Sequence, residues 1–198
     1  MNDTQEKKAI ELLQSFAEGV GATRAKRLAP DKVCVEEKLA DLCHDPICPF
    51  WGQSMSCPPY VTGPAEFRKL LKSCRHTMVI SLEIQTCSLQ GEDRPQVMRL
   101  LHEIVAEIEK KAIQLGFTSS AGFAGGSCKP SFCHDKPNCR VVAKEGECRY
   151  PEHARPSMSG YGVNVGKLME SVGWPNTIFT PEDDQEQLSW VAGLILLN

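Results

Sequence analysis

Eight of the ten cysteines in this 198-residue chain fall into two groups. Cys34, Cys43, Cys48 and Cys57 are spaced C-x8-C-x4-C-x8-C, and Cys128, Cys133, Cys139 and Cys148 are spaced C-x4-C-x5-C-x8-C. Only Cys74 and Cys87 lie between them. Thiolates are soft donors that select zinc or iron–sulfur clusters, so the quartets imply two metal sites, or one shared site with spare thiols. Structural zinc favours C-x2–4-C knuckles. Cys43/Cys48 and Cys128/Cys133 sit at the edge of that range, and no C-x-x-C pair occurs. An iron–sulfur cubane is wider, so its ligands can ride on a longer loop, and proline directly after a ligand is a ferredoxin-type feature. Cys48-Pro49 and Cys57-Pro58-Pro59 show it, and Gly125-Gly126-Ser127-Cys128 offers unobstructed backbone. The spacing favours two [4Fe–4S] clusters, with zinc as the alternative.

Charge differs around the groups. Residues 31–57 hold Asp31, Glu36, Glu37, Asp41 and Asp45 against Lys32 and Lys38, whereas residues 128–155 hold Lys129, Lys136, Arg140, Lys144, Arg149 and Arg155 against four acids. Positive surroundings stabilise a reduced, more anionic cluster. The expectation is therefore a higher potential at the second site, with electrons passing from first to second; solvated loop charge is the plain alternative. Cys74 falls on an apolar helix face and reads as a buried thiol. Cys87 reads as an exposed thiol, with a fourth ligand as the alternative. His44 and His134 adjoin cysteines, as occasional ligands or neighbours of the site. Arg155 is expected to donate to backbone carbonyls or a carboxylate. His76 and His102 receive no role, and Ser157 has no base beside it.

Several chemistries find no support. No P-loop, G-x-G-x-x-G followed by a helix, or H-E-x-x-H occurs. The C-x3-C-x2-C spacing of radical S-adenosylmethionine chemistry is also absent. A net charge of −3 argues against nucleic acid as a partner. The longest apolar run, VAGLILL, is too short to span a bilayer. No signal-like segment opens the chain, so a cytoplasmic location is expected, where thiols stay reduced and metal ligation outweighs disulfides.

The elements that must position these cysteines read as α/β. Helices are expected at 3–19 (capped by Asp3), from Gly63 to Cys74, at 93–115 (capped by Asp93) and at 164–172. The 93–115 stripe is Val97, Leu101, Ile104, Ile108, Ala112 and Leu115. Strands are expected at 31–36, at 77–86 as a half-buried strand, around 117–124 and at 188–197. The chain reads as one domain, 1–198, with a mixed sheet of about four strands flanked by helices. Two long cysteine loops, 34–60 and 125–157, interrupt it. Loops this long need something inside to order them.

LCHDPICPFWGQSMSCPPY (42–60) resembles the C…C…CPP segment of the predicted metal-binding family named domain of unknown function 2284. GGSCKPSFCHDKPNC…GECRYPEHARPSMSGYGVNV (125–165) resembles its second signature, GG-x-C with further cysteines, then C-R-x-P-x-x-A-R-P-S-M and G-x-x-V. The resemblance extends to Gly173-Trp174 and the C-terminal strand. It implies iron–sulfur ligation, as presumed for members from anaerobic bacteria and archaea, and no particular reaction. It assigns Cys43, Cys48 and Cys57 to one site and Cys128, Cys133, Cys139 and Cys148 to the other, and leaves Cys34 off the pattern. With Cys34 the first cluster is fully ligated and moves electrons to a redox partner protein. Without it, one iron is open to a substrate. A zinc-stabilised interaction module is the third reading.

Overall fold

The computed structural model describes residues 2–44, 48–176 and 187–198. Helix α1, Asp3–Gly19, is capped by Asn2 rather than Asp3, because the Asn2 side chain accepts from the Gln5 N–H while Gln5 reaches back to the Asn2 N–H. This is a capping box one residue earlier than the sequence pattern indicates. The helix buries Ala9, Ile10, Leu13 and Ala17. Glu6 is also buried, and the hydrogen bond from His76, with the charge of Arg75, holds its carboxyl below the usual range against burial.

Strand β1, Arg24–Leu28, follows. The strand expected at 31–36 is instead a 3-10 turn, Pro30–Lys32, and a single bridge from Val35 to Val163. Helix α2, Glu37–Asp41, lies within the first cysteine loop, and α3, Gly63–Ser73, follows it. Strand β2 is His76–Gln85, α4 is Thr86–Gln90 and α5 is Arg94–Gln114. Asp93 precedes α5 without a side-chain cap bond. Strand β3 shortens to Ala121–Phe123, α6 is Cys128–Phe132, α7 is Val165–Ser171 and β4 is Leu188–Leu197. The short helices α2 and α6 lie inside segments that read as loop.

The sheet order is β1-β2-β4-β3, and all three pairings are antiparallel rather than mixed. The two long strands are central, with Ile80 opposite Gly193 and Val79 opposite Leu194. Strand β2 is covered on both faces, so residues 77–82 are buried throughout, not half-buried as alternation implies. Met78, Ile80, Leu82 and Ile195 pack with α1 and α5; Val79, Leu194 and Leu196 pack with Phe67 of α3 and Leu168 of α7. Helices therefore cover both sheet faces, each with its own apolar cluster.

Helix α5 is the base of the site described below. It buries Val97, Met98, Leu101, Ile104, Val105, Ile108 and Ala112. It lies so close to the sheet that a Cβ on Gly193 would meet Val105 Cγ2 at 2.5 Å and Ile80 Cγ1 at 3.2 Å. Overpacking at such a contact costs about 1–3 kcal/mol. Gly193→Ala is expected to lower unfolding free energy by about that amount in urea denaturation; unchanged stability would show that α5 stands off the sheet.

Candidate metal centre

Loop one is held by the segment that the sequence motif A-R-P-S-M-x-G-x-G-V supplies. Ser157 donates its N–H to the Ser56 carbonyl at 2.8 Å, and Met158 donates to Ala124 at 2.9 Å. Met158 is fully buried, and a Cβ on Gly160 would strike Pro58 and Val61 at 2.8 Å. Gly162 adopts φ +72°, with the Glu36 carbonyl 2.5 Å from where a Cβ would stand. This is a left-handed conformation and a close approach that only glycine tolerates. The Pro58–Pro59 bond is cis.

Arg155 behaves as expected, donating Nε to Glu109 at 2.8 Å and Nη1 to the carbonyls of Pro151 and Ala154. Glu109 also accepts the Gly122 N–H at 2.6 Å. One carboxylate on α5 thus ties the end of loop two to β3. The Arg155 N–H donates to His102 Nδ1 at 3.0 Å, and the buried His102 ring meets Phe132 edge-on.

Two cavities carry the cysteines. The first, of about 310 Å³, is lined by Cys43, Cys48 and Cys57. Phe50, Trp51, Pro58, Arg94, Met98, Ser157 and Ser159 also line it. The second, of about 20 Å³, is lined by Cys128, Cys133, Cys139 and Cys148 with Ser54, Lys129, Phe132, Arg140, Arg149 and Tyr150. Seven of the eight expected ligands therefore face one of two spaces. Cys34 does not line either one. Its Sγ lies 3.4 Å from Glu36 Oε1, and its carbonyl accepts the Asn164 N–H. Glu36 in turn meets Lys167, Lys38 and Asn164, which hold its carboxyl far below the usual range.

Burial pushes the Cys43 thiol up, with Cys48 and Cys57 as further causes. Burial also raises Cys128, opposed by hydrogen bonds from Ser56 and Ser54, and raises Cys133, opposed by Arg149 and Lys129. At Cys139 burial acts upward, but the backbone of Val142, Met55 and Val141 outweighs it and the thiol shifts down. The Tyr150 N–H donates to Cys148 Sγ at 3.4 Å. Donors thus point at sulfur around the second set.

The charge contrast is narrower than the sequence implies. Asp31, Glu36, Glu37 and Asp41 do not line the first cavity; Glu36 and Glu37 are paired to Lys38, Lys167 and Arg68. Asp45 lies outside the described residues. Of the six bases in loop two, Lys129, Arg140 and Arg149 line the second cavity. Lys129 is buried, and its Nζ donates to the carbonyls of Cys133 at 2.6 Å and Lys136.

Cys74 is buried, with Sγ 2.7 Å from the His76 carbonyl, and Cys87 is exposed on α4. His44 lies edge-on to Trp51 and His134 is exposed. Ser54, Ser56, Ser127 and Lys129 are site residues that spacing alone misses. Their signal is adjacency to cysteines of the two sets, in Ser54-Met55-Ser56-Cys57 and Ser127-Cys128-Lys129. Four sulfurs around one zinc would stand about 3.8 Å apart. Among the described residues, no three His, Cys, Asp or Glu are grouped to hold a single ion.

One family model, described as predicted metal-binding protein (domain of unknown function 2284), matches residues 26–197. No curated protein and no solved structure matches. Among the described residues no helix is long and apolar enough to cross a membrane.

Burial, followed by the positive charge of Arg155, pushes the His102 imidazole down to about 4. An unfolded histidine titrates near 6.5, so between those values the unfolded chain binds more protons and stability falls as pH drops. Between pH 7 and pH 5 this amounts to about 2 kcal/mol. Urea denaturation at both pH values is expected to show that much less acid loss in His102→Gln than in the unaltered chain.

Proposed function

We propose, from the premise that the chain belongs to the predicted metal-binding family of domain of unknown function 2284, that it is an iron–sulfur protein. In this reading Cys128, Cys133, Cys139 and Cys148 hold one [4Fe–4S] cluster, and Cys43, Cys48 and Cys57 hold another. Bound clusters supply one-electron chemistry, which makes electron transfer to a redox partner protein the leading function. The observation that carries the reading is the convergence of donors on thiols that line a common space: the Tyr150 N–H on Cys148, backbone groups on Cys139, and serine hydroxyls on Cys128. Hydrogen bonds to sulfur are a principal lever on cluster potential.

The chain's own residues do the rest. Lys129 fixes the turn that carries Cys133 by donating to two of its carbonyls. Its ammonium, with Arg140 and Arg149, offsets negative charge at the second set. Phe132 and Tyr150, with ring centroids 5.3 Å apart, wall that set from water. The higher potential is accordingly assigned to the second site, and Arg149→Ala is expected to lower that step in an EPR-monitored redox titration while leaving the other in place.

A second reading is favoured by the position of Cys34, which sits with Glu36 and outside the three-cysteine cavity. Were Cys43, Cys48 and Cys57 to hold a cubane by three of its irons, the fourth would lack a protein ligand; Trp51, Arg94 and Ser157 border the same cavity, whose volume of about 310 Å³ includes the space the cluster itself would take. A small substrate would bind there.

Anaerobically prepared protein is expected to contain iron and acid-labile sulfide and to lose its visible absorption on dithionite addition. Colourless protein with stoichiometric zinc would replace both readings with a zinc-stabilised module. Cys34→Ser is expected to leave cluster content unchanged. Loss of one cluster in that variant would make Cys34 the fourth ligand and remove the substrate reading.

A further inference from the structure

Between the two cavities runs a chain of buried hydroxyls. Ser54 is 1% exposed, Ser56 6% and Ser127 6%. Ser54 Oγ lies 2.9 Å from Ser56 Oγ and 3.2 Å from Ser127 Oγ. Ser56 Oγ lies 3.7 Å from Cys57 Sγ, a thiol of the first cavity, and accepts the N–H of Cys128, a residue of the second, at 3.1 Å. Ser127 Oγ accepts the Lys129 N–H at 3.3 Å. Both Ser54 and Ser56 also meet the Cys128 thiol.

Donor accounting sets the direction of this chain. Backbone N–H groups only donate, and a thiolate only accepts. With the Cys128 N–H feeding Ser56 Oγ, the Ser56 proton is free to turn toward sulfur. With the Lys129 N–H feeding Ser127 Oγ, the Ser127 proton goes to Ser54 Oγ and the Ser54 proton to Ser56 Oγ, which leaves the Ser56 proton for sulfur, at Cys57 or at Cys128. Every donor then has an acceptor, and the chain ends on a single proton within reach of sulfurs of two different sets. Donors aligned in series polarise one another, more strongly where water is excluded.

We infer that the Ser54–Ser56 hydroxyl pair is a shared hydrogen-bond support that tunes both thiol sets and links their properties. The two serines are positioning residues, because they act on the metal through its ligands. The inference rests on both sets holding iron–sulfur clusters, and the experiment separates failure of that reading from failure of the linkage.

Wild-type, Ser54→Ala, Ser56→Ala and Ser56→Thr proteins are reconstituted anaerobically with ferrous iron and sulfide. Circular dichroism checks their folding, and EPR-monitored redox titration follows the two reduction steps. Ser56→Ala is expected to lower both steps by about tenfold in equilibrium constant, about 59 mV for a one-electron couple. Ser54→Ala, which removes only the hydroxyl behind Ser56, is expected to lower both steps by less than Ser56→Ala does, and Ser56→Thr is expected to keep both at their wild-type values. If Ser56→Ala moves one step or neither at unchanged cluster content, the linkage is overturned. If wild-type protein assembles no cluster, the iron–sulfur reading fails and cadmium(II) becomes the probe. Thiolate absorption then reads binding at both sets: a fall of about tenfold at both in Ser56→Ala supports the linkage, and unchanged binding at either rejects it. Should the alanine variants misfold, Ser56→Thr against Ser56→Val gives the same comparison, with the hydroxyl exchanged for a methyl group.

Discussion

The structure depends on a four-residue stretch of loop one, 54–57, that forms the wall between two sets of thiols. Ser54 borders the second cavity, the Met55 backbone reaches Cys139, Ser56 meets the Cys128 N–H, and Cys57 borders the first cavity. Buried polar groups must find partners or cost free energy. Here each of the two hydroxyls of that stretch has a partner in loop two. Neither loop can be ordered fully without the other, and the two sites are built as one object.

What holds that wall in place is the fold beneath it. Helix α5 begins at the first cavity with Arg94 and Met98 and, one turn further on, carries His102 against Phe132 of the second. Further along, Glu109 holds Arg155 and the Gly122 N–H. A single rigid element thereby sets the separation of the two cavities, and its close seat on Gly193 fixes it to the central strands. A long helix suits this task because its hydrogen bonds are internal and its side chains repeat along one face.

The electrostatics follow from the same arrangement. The acids of loop one are drawn into pairs with Lys38, Lys167 and Arg68, away from the thiols. The bases of loop two divide: Arg155 serves Glu109, while Lys129, Arg140 and Arg149 face the four-cysteine space. Charge counted along the chain therefore overstated the contrast at the first site and captured it at the second. The segment that reads as a family signature, A-R-P-S-M-x-G-x-G-V, has a packing role here. It pins loop one through Ser157 and seats Met158 and Gly160 against the core and Pro58.

The helices 3–19, 63–73, 94–114 and 165–171 were legible because burying one face imposes a period that survives in sequence, and the two central strands, covered on both faces, because they are short apolar stretches. Strand β1 was not legible: Arg24-Ala25-Lys26-Arg27-Leu28 has no apolar alternation, and edge strands carry such charge to resist pairing with other chains. The spacing of the cysteines was enough to separate two groups, because thiols that line one cavity from one loop must be near in sequence. Only the tertiary structure decided that Cys34 stands with Glu36, outside the cavity its neighbours line. Only it brought Ser54 to Ser127 and Ser56 to the Cys128 N–H, contacts between residues more than seventy apart in the chain. Periodicity and spacing record local constraints, whereas a hydrogen bond between distant loops leaves no mark until the core has brought them together.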